Sequence, residues 1–128
     1  MASSEGLHEA AELLRPETID RHRAWASLQE ELEAADWYDQ RVDAADDAEL
    51  AGILGHNRDE EKEHAAMVLE WLRRHDPKLD EHLRTYLFTD APILELEDAA
   101  TGSEGSAPDA GGGPTPTRSL GIGSLKGK

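Results

Sequence analysis

Cysteine is absent from this chain of 128 residues, which excludes disulfide bonds and thiolate metal sites. Aromatic residues are scarce, with a single Phe, and hydrophobic residues make up only 38% of the sequence. No apolar run approaches the roughly 20 residues that a membrane span needs, and the N-terminus lacks the apolar segment of a signal peptide. We therefore expect one small folded domain in the cytoplasm, with no membrane partner.

Basic residues are also few: the chain carries 13 of them against 28 acidic residues, for a formal net charge of −15. The excess acid lies in residues 1–98, which hold 26 acidic and 10 basic residues, whereas residues 99–128 carry a net charge of +1. Such a chain repels nucleic acid and anionic lipid, so we expect neither as a partner. Cations are the ligands that this charge favours.

What the sequence does contain is two long segments of helical pattern. The first covers residues 16–42 and opens on a proline, which suits the first turn of a helix. Asp46, followed three residues later by Glu49, resembles a capping box that starts a second helix near residue 47. That helix runs to about residue 75, because Pro77 prevents its continuation. The connection is short, so the two helices are expected to be antiparallel neighbours.

The remainder of the chain is predicted to contain shorter elements and then a linker. A third helix is expected over residues 79–88, with one further helical turn over residues 92–96. After Asp98 the composition shifts to Gly, Ser, Pro, Ala and Thr, which cannot bury enough surface to fold. We therefore divide the chain into a helical domain over 1–98, a flexible linker over 99–117 and a terminal segment over 118–128.

Polar residues interrupt the apolar face of both long helices. Read in alternating steps of four and three, each face is apolar at its ends and polar in its middle. A buried carboxylate or imidazole costs on the order of several kcal/mol unless it is paired or bound to a cation. The positions on these faces, called rungs below, are Ala24, Leu28, Glu31, Ala35, Tyr38 and Val42 on the first helix, and Leu50, Leu54, Asn57, Glu61, His64, Val68 and Trp71 on the second.

The polar rungs contain the ligands of half a carboxylate-bridged metal site. Glu61 and His64 form an E-x-x-H motif, and Glu31 lies in the seam of the other helix. A di-iron carboxylate bundle needs two such motifs and two further Glu residues, so this chain supplies half of them. Two copies would bring four carboxylates, whose charge of about −4 suits two divalent cations, Fe(II) or Mn(II) rather than copper or structural zinc. We predict an obligate homodimer with the metal at its interface.

A structural interpretation of the same residues competes with the metal site. E-x-x-H motifs arise by chance in acidic chains, and Glu61 can pair with Arg58 instead. Glu31 can likewise pair with Arg23 or Arg41. The position of both carboxylates within apolar faces favours the metal.

Several neighbouring residues have two interpretations. Glu30 and Glu33 are expected to face outward, either as a solvated surface or as a loading site for cations. Trp37, one turn further along, either gates that route or packs in an interface. Tyr38 lies near Glu31 and either packs in the core, hydrogen-bonds a metal ligand or donates an electron.

A second polar face on the second helix has the spacing of a loose cation site. His56, Glu60 and Glu63 follow one another at i, i+4 and i+7, although a surface cluster explains them better. The histidines with no supporting pattern are His8, His22, His75 and His82.

Four segments of the chain closely resemble the encapsulated ferritins. These are EELEAADWYDQR at 30–41, HNRDEEKEHA at 56–65, LEWLRR at 69–74 and RTYLFT at 84–89. The resemblance extends over essentially the whole chain. It implies an all-α fold in which an antiparallel two-helix hairpin with short C-terminal helices dimerises into a ferritin-like four-helix bundle, and dimers assemble into a ring-shaped decamer.

The same resemblance implies a ferroxidase, which oxidises Fe(II) to Fe(III) at a di-iron centre on the dimer axis with two Fe per dimer. The implied iron ligands are Glu31, Glu61 and His64, the residues that the apolar faces single out. It assigns an outer metal site to Glu30 and Glu33 and the shielding of that site to Trp37.

The terminal segment resembles the targeting peptide that packs cargo into encapsulin shells. Apolar residues return there as LGIGSLK at 120–126, after a linker without a core to join. Leu120, Ile122 and Leu125 would fill apolar pockets of the shell, which implies a location inside an encapsulin nanocompartment in the cytoplasm. A frayed terminus is the structural alternative.

Two other functions use the same ligands. A non-catalytic adaptor or metal buffer, stapled by a structural cation, could also be recruited as encapsulin cargo. A di-manganese oxidase would differ from the ferroxidase only in its metal supply.

Overall fold

A computed structural model of the chain describes residues 6–102, which are helical and contain no strand. The predicted all-α fold is confirmed. A short 3₁₀ turn precedes the first long helix. No helix among the described residues is both long and apolar enough to cross a bilayer. The elements are the 3₁₀ turn Ala11–Leu13, α1 (Pro16–Ala44), α2 (Ala48–Arg74), α3 (Pro77–Tyr86), α4 (Ile93–Glu97) and a π-helical turn Asp98–Gly102.

The two long helices begin and end close to the predicted positions, with one correction at the start of α2. Asp47, and not Asp46, is the N-cap: its backbone is extended and its Oδ2 accepts a hydrogen bond of 2.8 Å from the Leu50 amide. This bond satisfies one of the amides that the first turn leaves without a helical partner. Two adjacent aspartates offered two possible caps, and the pattern of Asp46 and Glu49 selected the wrong one.

α1 and α2 pack against each other as a hairpin around a narrow apolar seam. The buried side chains are Leu28 of α1 and Ala65 and Leu72 of α2. An ion pair of 3.0 Å between Arg58 and Asp39 joins the two helices near the loop. The seam therefore holds the middle of α1 against the middle of α2, where the polar rungs lie.

The buried line of α2 differs from the predicted apolar face. Ala65 and Leu72 lie one residue beyond the rungs His64 and Trp71. Trp71 itself is exposed, as is Leu50 at the other end of the face. The two end positions of the predicted face are thus exposed, whereas its five middle positions stay half-buried beside the seam.

The unit that follows Pro77 contains α3 and α4. α3 ends at Tyr86, two residues before the predicted end, because Phe88 adopts a left-handed backbone conformation (φ 61°) that ends a helix. The Thr89 hydroxyl donates a hydrogen bond of 2.7 Å to the Tyr86 carbonyl and fixes this turn. α4 forms at the predicted extra turn. Of the predicted linker over 99–117, residues 99–102 belong to the π-helical turn, and the rest of the linker and the terminal segment lie outside the described residues.

Candidate metal centre

α2 places Glu61 and His64 on the same side of the helix, one turn apart. The distance between His64 Nδ1 and Glu61 Oε1 is 3.5 Å. Residues spaced by three positions on a helix are neighbours on its surface, which is why the E-x-x-H spacing converges two donors. The side chains of Glu61 and His64 retain 26% and 44% of their exposure, so both remain within reach of an incoming ligand.

Glu31 of α1 has a carboxylate oxygen that is buried and unpartnered. Its Oε1 has almost no contact with solvent and makes no hydrogen bond. Burial raises the pKa of Glu31; His64 opposes that shift, whereas the negative charges of Glu61 and Glu30 add to it. This electrostatic coupling relates Glu31 to the E-x-x-H pair across the hairpin. The charges of Glu61 and His64 on α2 therefore act on the Glu31 carboxylate of α1.

The donor set suits a hard or borderline divalent cation. Two carboxylates and one imidazole per chain resemble the oxygen-rich, nitrogen-poor ligation of Fe(II) or Mn(II) sites. A buried carboxylate oxygen without a donor is costly, and a cation would remove that cost. Within residues 6–102 of one chain, however, no three such side chains are arranged to hold a metal ion.

The arginines that could have neutralised these carboxylates have other partners. Arg58 binds Asp39 and Asp59 at 3.0 Å each, and not Glu61. Arg23 binds Asp20 at 2.7 Å. Arg41 lies over the ring of Tyr38, with its guanidinium carbon 5.3 Å from the ring centroid. The structural alternative, in which arginines pair with Glu31 and Glu61, is therefore not the arrangement observed.

The proposed outer residues of α1 have mixed environments. Glu30 is exposed, as predicted, whereas Glu33 is half-buried and does not face fully outward. Trp37 is exposed and borders a shallow surface groove with Arg41. Tyr38 is half-buried beneath the Arg41 guanidinium.

Glu60 makes a contact that the sequence pattern did not single out. Its Oε2 lies 3.5 Å from His56 Nε2, and its Oε1 lies 4.0 Å from His64 Nε2. The i, i+4 spacing of Glu60 and His64 was the available signal. The sequence pattern groups Glu60 only with His56 and Glu63, and thereby separates it from the predicted ligands.

His64 also lies in the middle of an exposed apolar stripe on α2. Ile53 and Met67 keep 52% and 63% of their exposure, and Trp71 is exposed as well. In steps of four and three, the stripe runs Ile53, Asn57, Glu60, His64, Met67 and Trp71. One helix face thus combines large apolar side chains with a histidine and a glutamate.

Comparison with known proteins identifies the family. Residues 6–90 match the EncFtn-like family. The chain is 64% identical over 128 aligned positions to an encapsulated ferritin-like protein of Rhodospirillum rubrum, an alignment that covers 98% of this chain and 91% of that protein. It is 54% identical to a ferritin-like protein of Thermotoga maritima, over 81% of this chain and 92% of that protein.

Two further relatives agree. An encapsulin nanocompartment cargo protein of Myxococcus xanthus is 35% identical, over 78% of this chain and 79% of that protein. The crystal structure of a protein from Nitrosomonas europaea superposes with a TM-score of 0.67 at 61% identity, covering 70% of this chain and 98% of that one. This chain therefore belongs to the EncFtn-like family of encapsulin-associated ferritin-like proteins.

Proposed function

We propose that this protein is a ferroxidase that oxidises Fe(II) to Fe(III) at a di-iron centre formed between two copies of the chain. The observation that carries the proposal is the buried, unpartnered Oε1 of Glu31, coupled electrostatically to Glu61 and His64. Membership in a ferritin-like family supports the choice of iron. Iron is here the substrate that the protein collects and releases.

The shared centre follows from what one chain lacks. One copy brings two carboxylates and one imidazole, and a second copy related by a two-fold axis would double this set. The apolar stripe around His64 supports a partner on that side, because exposed Ile53, Met67 and Trp71 would become buried. The proposal extends to the ring-shaped decamer that the resemblance implies.

In this mechanism the protein concentrates Fe(II), holds a pair of ions and keeps them close. Glu30, exposed on α1, would attract the cation, with Glu33 and Trp37 beside its route. Glu31 and Glu61 would ligate and bridge the ions. Each Fe(II) gives up one electron, so a pair delivers two electrons together to dioxygen.

The cargo role is part of the same proposal. The Myxococcus xanthus relative is by name an encapsulin cargo protein, and the Rhodospirillum rubrum relative is by name encapsulated. We infer that residues 99–117 act as a tether and residues 118–128 as a targeting peptide, with Leu120, Ile122 and Leu125 docking on the shell. The protein would then work inside a nanocompartment in the cytoplasm, where the shell stores the ferric product.

Substitution of the three ligands tests the enzyme. Aerobic addition of Fe(II) to the full chain should give ferric absorbance at a rate that falls to the protein-free rate in the variants Glu31→Ala, Glu61→Ala and His64→Ala, because each removes a ligand from both ions. Glu97→Ala, a matched change at an exposed glutamate of α4, should leave the rate unchanged.

Two results would contradict this proposal. Oxidation at the wild-type rate by a chain that carries all three alanine substitutions would show that the three residues do not form the centre. Stoichiometric metal binding by the wild-type chain without any oxidation would favour the metal-stapled adaptor or buffer.

A further inference from the structure

The two ring nitrogens of His64 face different carboxylates. Nδ1 lies 3.5 Å from Glu61 Oε1, and Nε2 lies 4.0 Å from Glu60 Oε1. The other oxygen of Glu60, Oε2, lies 3.5 Å from His56 Nε2. The four side chains therefore form a row from an exposed histidine to the proposed ligand pair.

Only one nitrogen of His64 is placed to share a cation with Glu61, and it is Nδ1. A histidine that binds a metal through one nitrogen usually donates its other N–H to a carboxylate, which fixes the tautomer and the ring orientation. Nε2 of His64 has such an acceptor in Glu60, one helical turn earlier on α2. Glu60 thus occupies the place of a supporting carboxylate.

We propose that Glu60 is a positioning residue: it accepts the Nε2–H of His64 and thereby directs Nδ1 towards the metal. The inference deepens the proposed function and rests on its assignment of His64 as a ligand. At 4.0 Å the contact is longer than a hydrogen bond, but catalytic hydrogen bonds are often long without ligand and tighten when it binds.

The contact with His56 supports this role. His56 holds Oε2 of Glu60, so that Oε1 of Glu60 stays directed along the helix towards His64. Glu49 is an exposed glutamate in the first turn of the same helix, far along α2 from His64 and outside both candidate cation sites. Glu49 therefore provides a matched control of the same chemistry.

Zn(II), which is redox-inactive and diamagnetic, provides the probe for the test. In the full-length chain loaded with Zn(II), ¹⁵N NMR should show His64 bound through Nδ1 and protonated at Nε2. Glu60→Ala should weaken Zn(II) binding about 10- to 100-fold, as expected for loss of a supporting carboxylate. Glu60→Gln keeps an acceptor oxygen and should restore most of the affinity, whereas Glu49→Ala should bind as wild type does.

Three outcomes would overturn the inference. The first is coordination of Zn(II) through Nε2, and the second is wild-type Zn(II) affinity in Glu60→Ala. The third is that Glu60→Ala binds fewer Zn(II) ions instead of binding them more weakly, which would make Glu60 a ligand. None of these readouts involves oxidation. A chain that passes all of them but does not oxidise Fe(II) would retain the positioning role of Glu60 and lose the ferroxidase function. A chain that oxidises iron but fails these tests would keep the ferroxidase function and lose the positioning role of Glu60.

Discussion

At the scale of single residues, burial of Glu31 makes the stability of the metal-free protein depend on pH. Its pKa is raised in the folded chain, so the folded state binds its proton more tightly than the unfolded state does. The resulting contribution of Glu31 to the free energy of unfolding is fully present below the ordinary pKa of a glutamate. It is lost as the pH rises through the raised pKa of Glu31 in the folded chain. At neutral pH the metal-free fold must therefore bury a charge that it disfavours.

We expect Glu31→Gln to stabilise the metal-free protein at neutral pH, since the amide carries no charge to bury. The difference in the free energy of unfolding between Glu31→Gln and wild type should shrink as the pH falls, and it should be lost below the ordinary glutamate pKa. Denaturant unfolding in the presence of a chelator, at a series of pH values, measures it. A gap between variant and wild type that stayed constant with pH would show that the charge of Glu31 is not the cause.

How far the sequence specifies the site can be judged residue by residue. Glu31, Glu61 and His64 can be proposed from the sequence because a charge inside an apolar face conflicts with burial, and that conflict is visible in the order of residues alone. The contact of Glu60 with His64 was missed because i, i+4 pairs of Glu and His are frequent on acidic helices. Which of these pairs lie beside the proposed ligands depends on how α2 packs against α1.

At the scale of helices, the ends of α1 and α2 could be predicted because their signals are local. Prolines and a capping aspartate act within a few residues of themselves, so only the choice between Asp46 and Asp47 failed. The face that α2 turns to α1 could not be predicted as readily. Leu72 packs in the seam with α1, whereas Met67 would contact the partner subunit of the proposed dimer. The apolar pattern of α2 therefore contains two faces at once, and the sequence does not say which of them meets α1.

The cap of α2 gives a test at this scale. Asp47→Ala should lower the free energy of unfolding by about 1 kcal/mol, because the Leu50 amide loses its acceptor. Asp46→Ala, the matched change one residue earlier, should stay within about 0.5 kcal/mol of wild type. Chemical denaturation compares the two variants, and equal losses would place the cap elsewhere.

At the scale of the whole molecule, the hairpin exposes more apolar surface beside its proposed ligands than a lone subunit would favour. Large side chains lie on both sides of His64, although the chain is otherwise strongly acidic. In a metal-free dimer the crowded carboxylates would repel one another. Association would then depend on apolar burial and on the cation, which links assembly to metal binding.

Met67→Glu separates assembly from ligand identity, because it leaves Glu31, Glu61 and His64 in place and adds a charge where the proposed partner packs. We expect this variant to be a monomer that neither binds Fe(II) tightly nor oxidises it, as followed by sedimentation and by ferric absorbance. Leu94→Glu, at an exposed position of α4, should behave as wild type. Ferroxidase activity in a Met67→Glu monomer would mean that one chain suffices, and the shared centre would have to be abandoned.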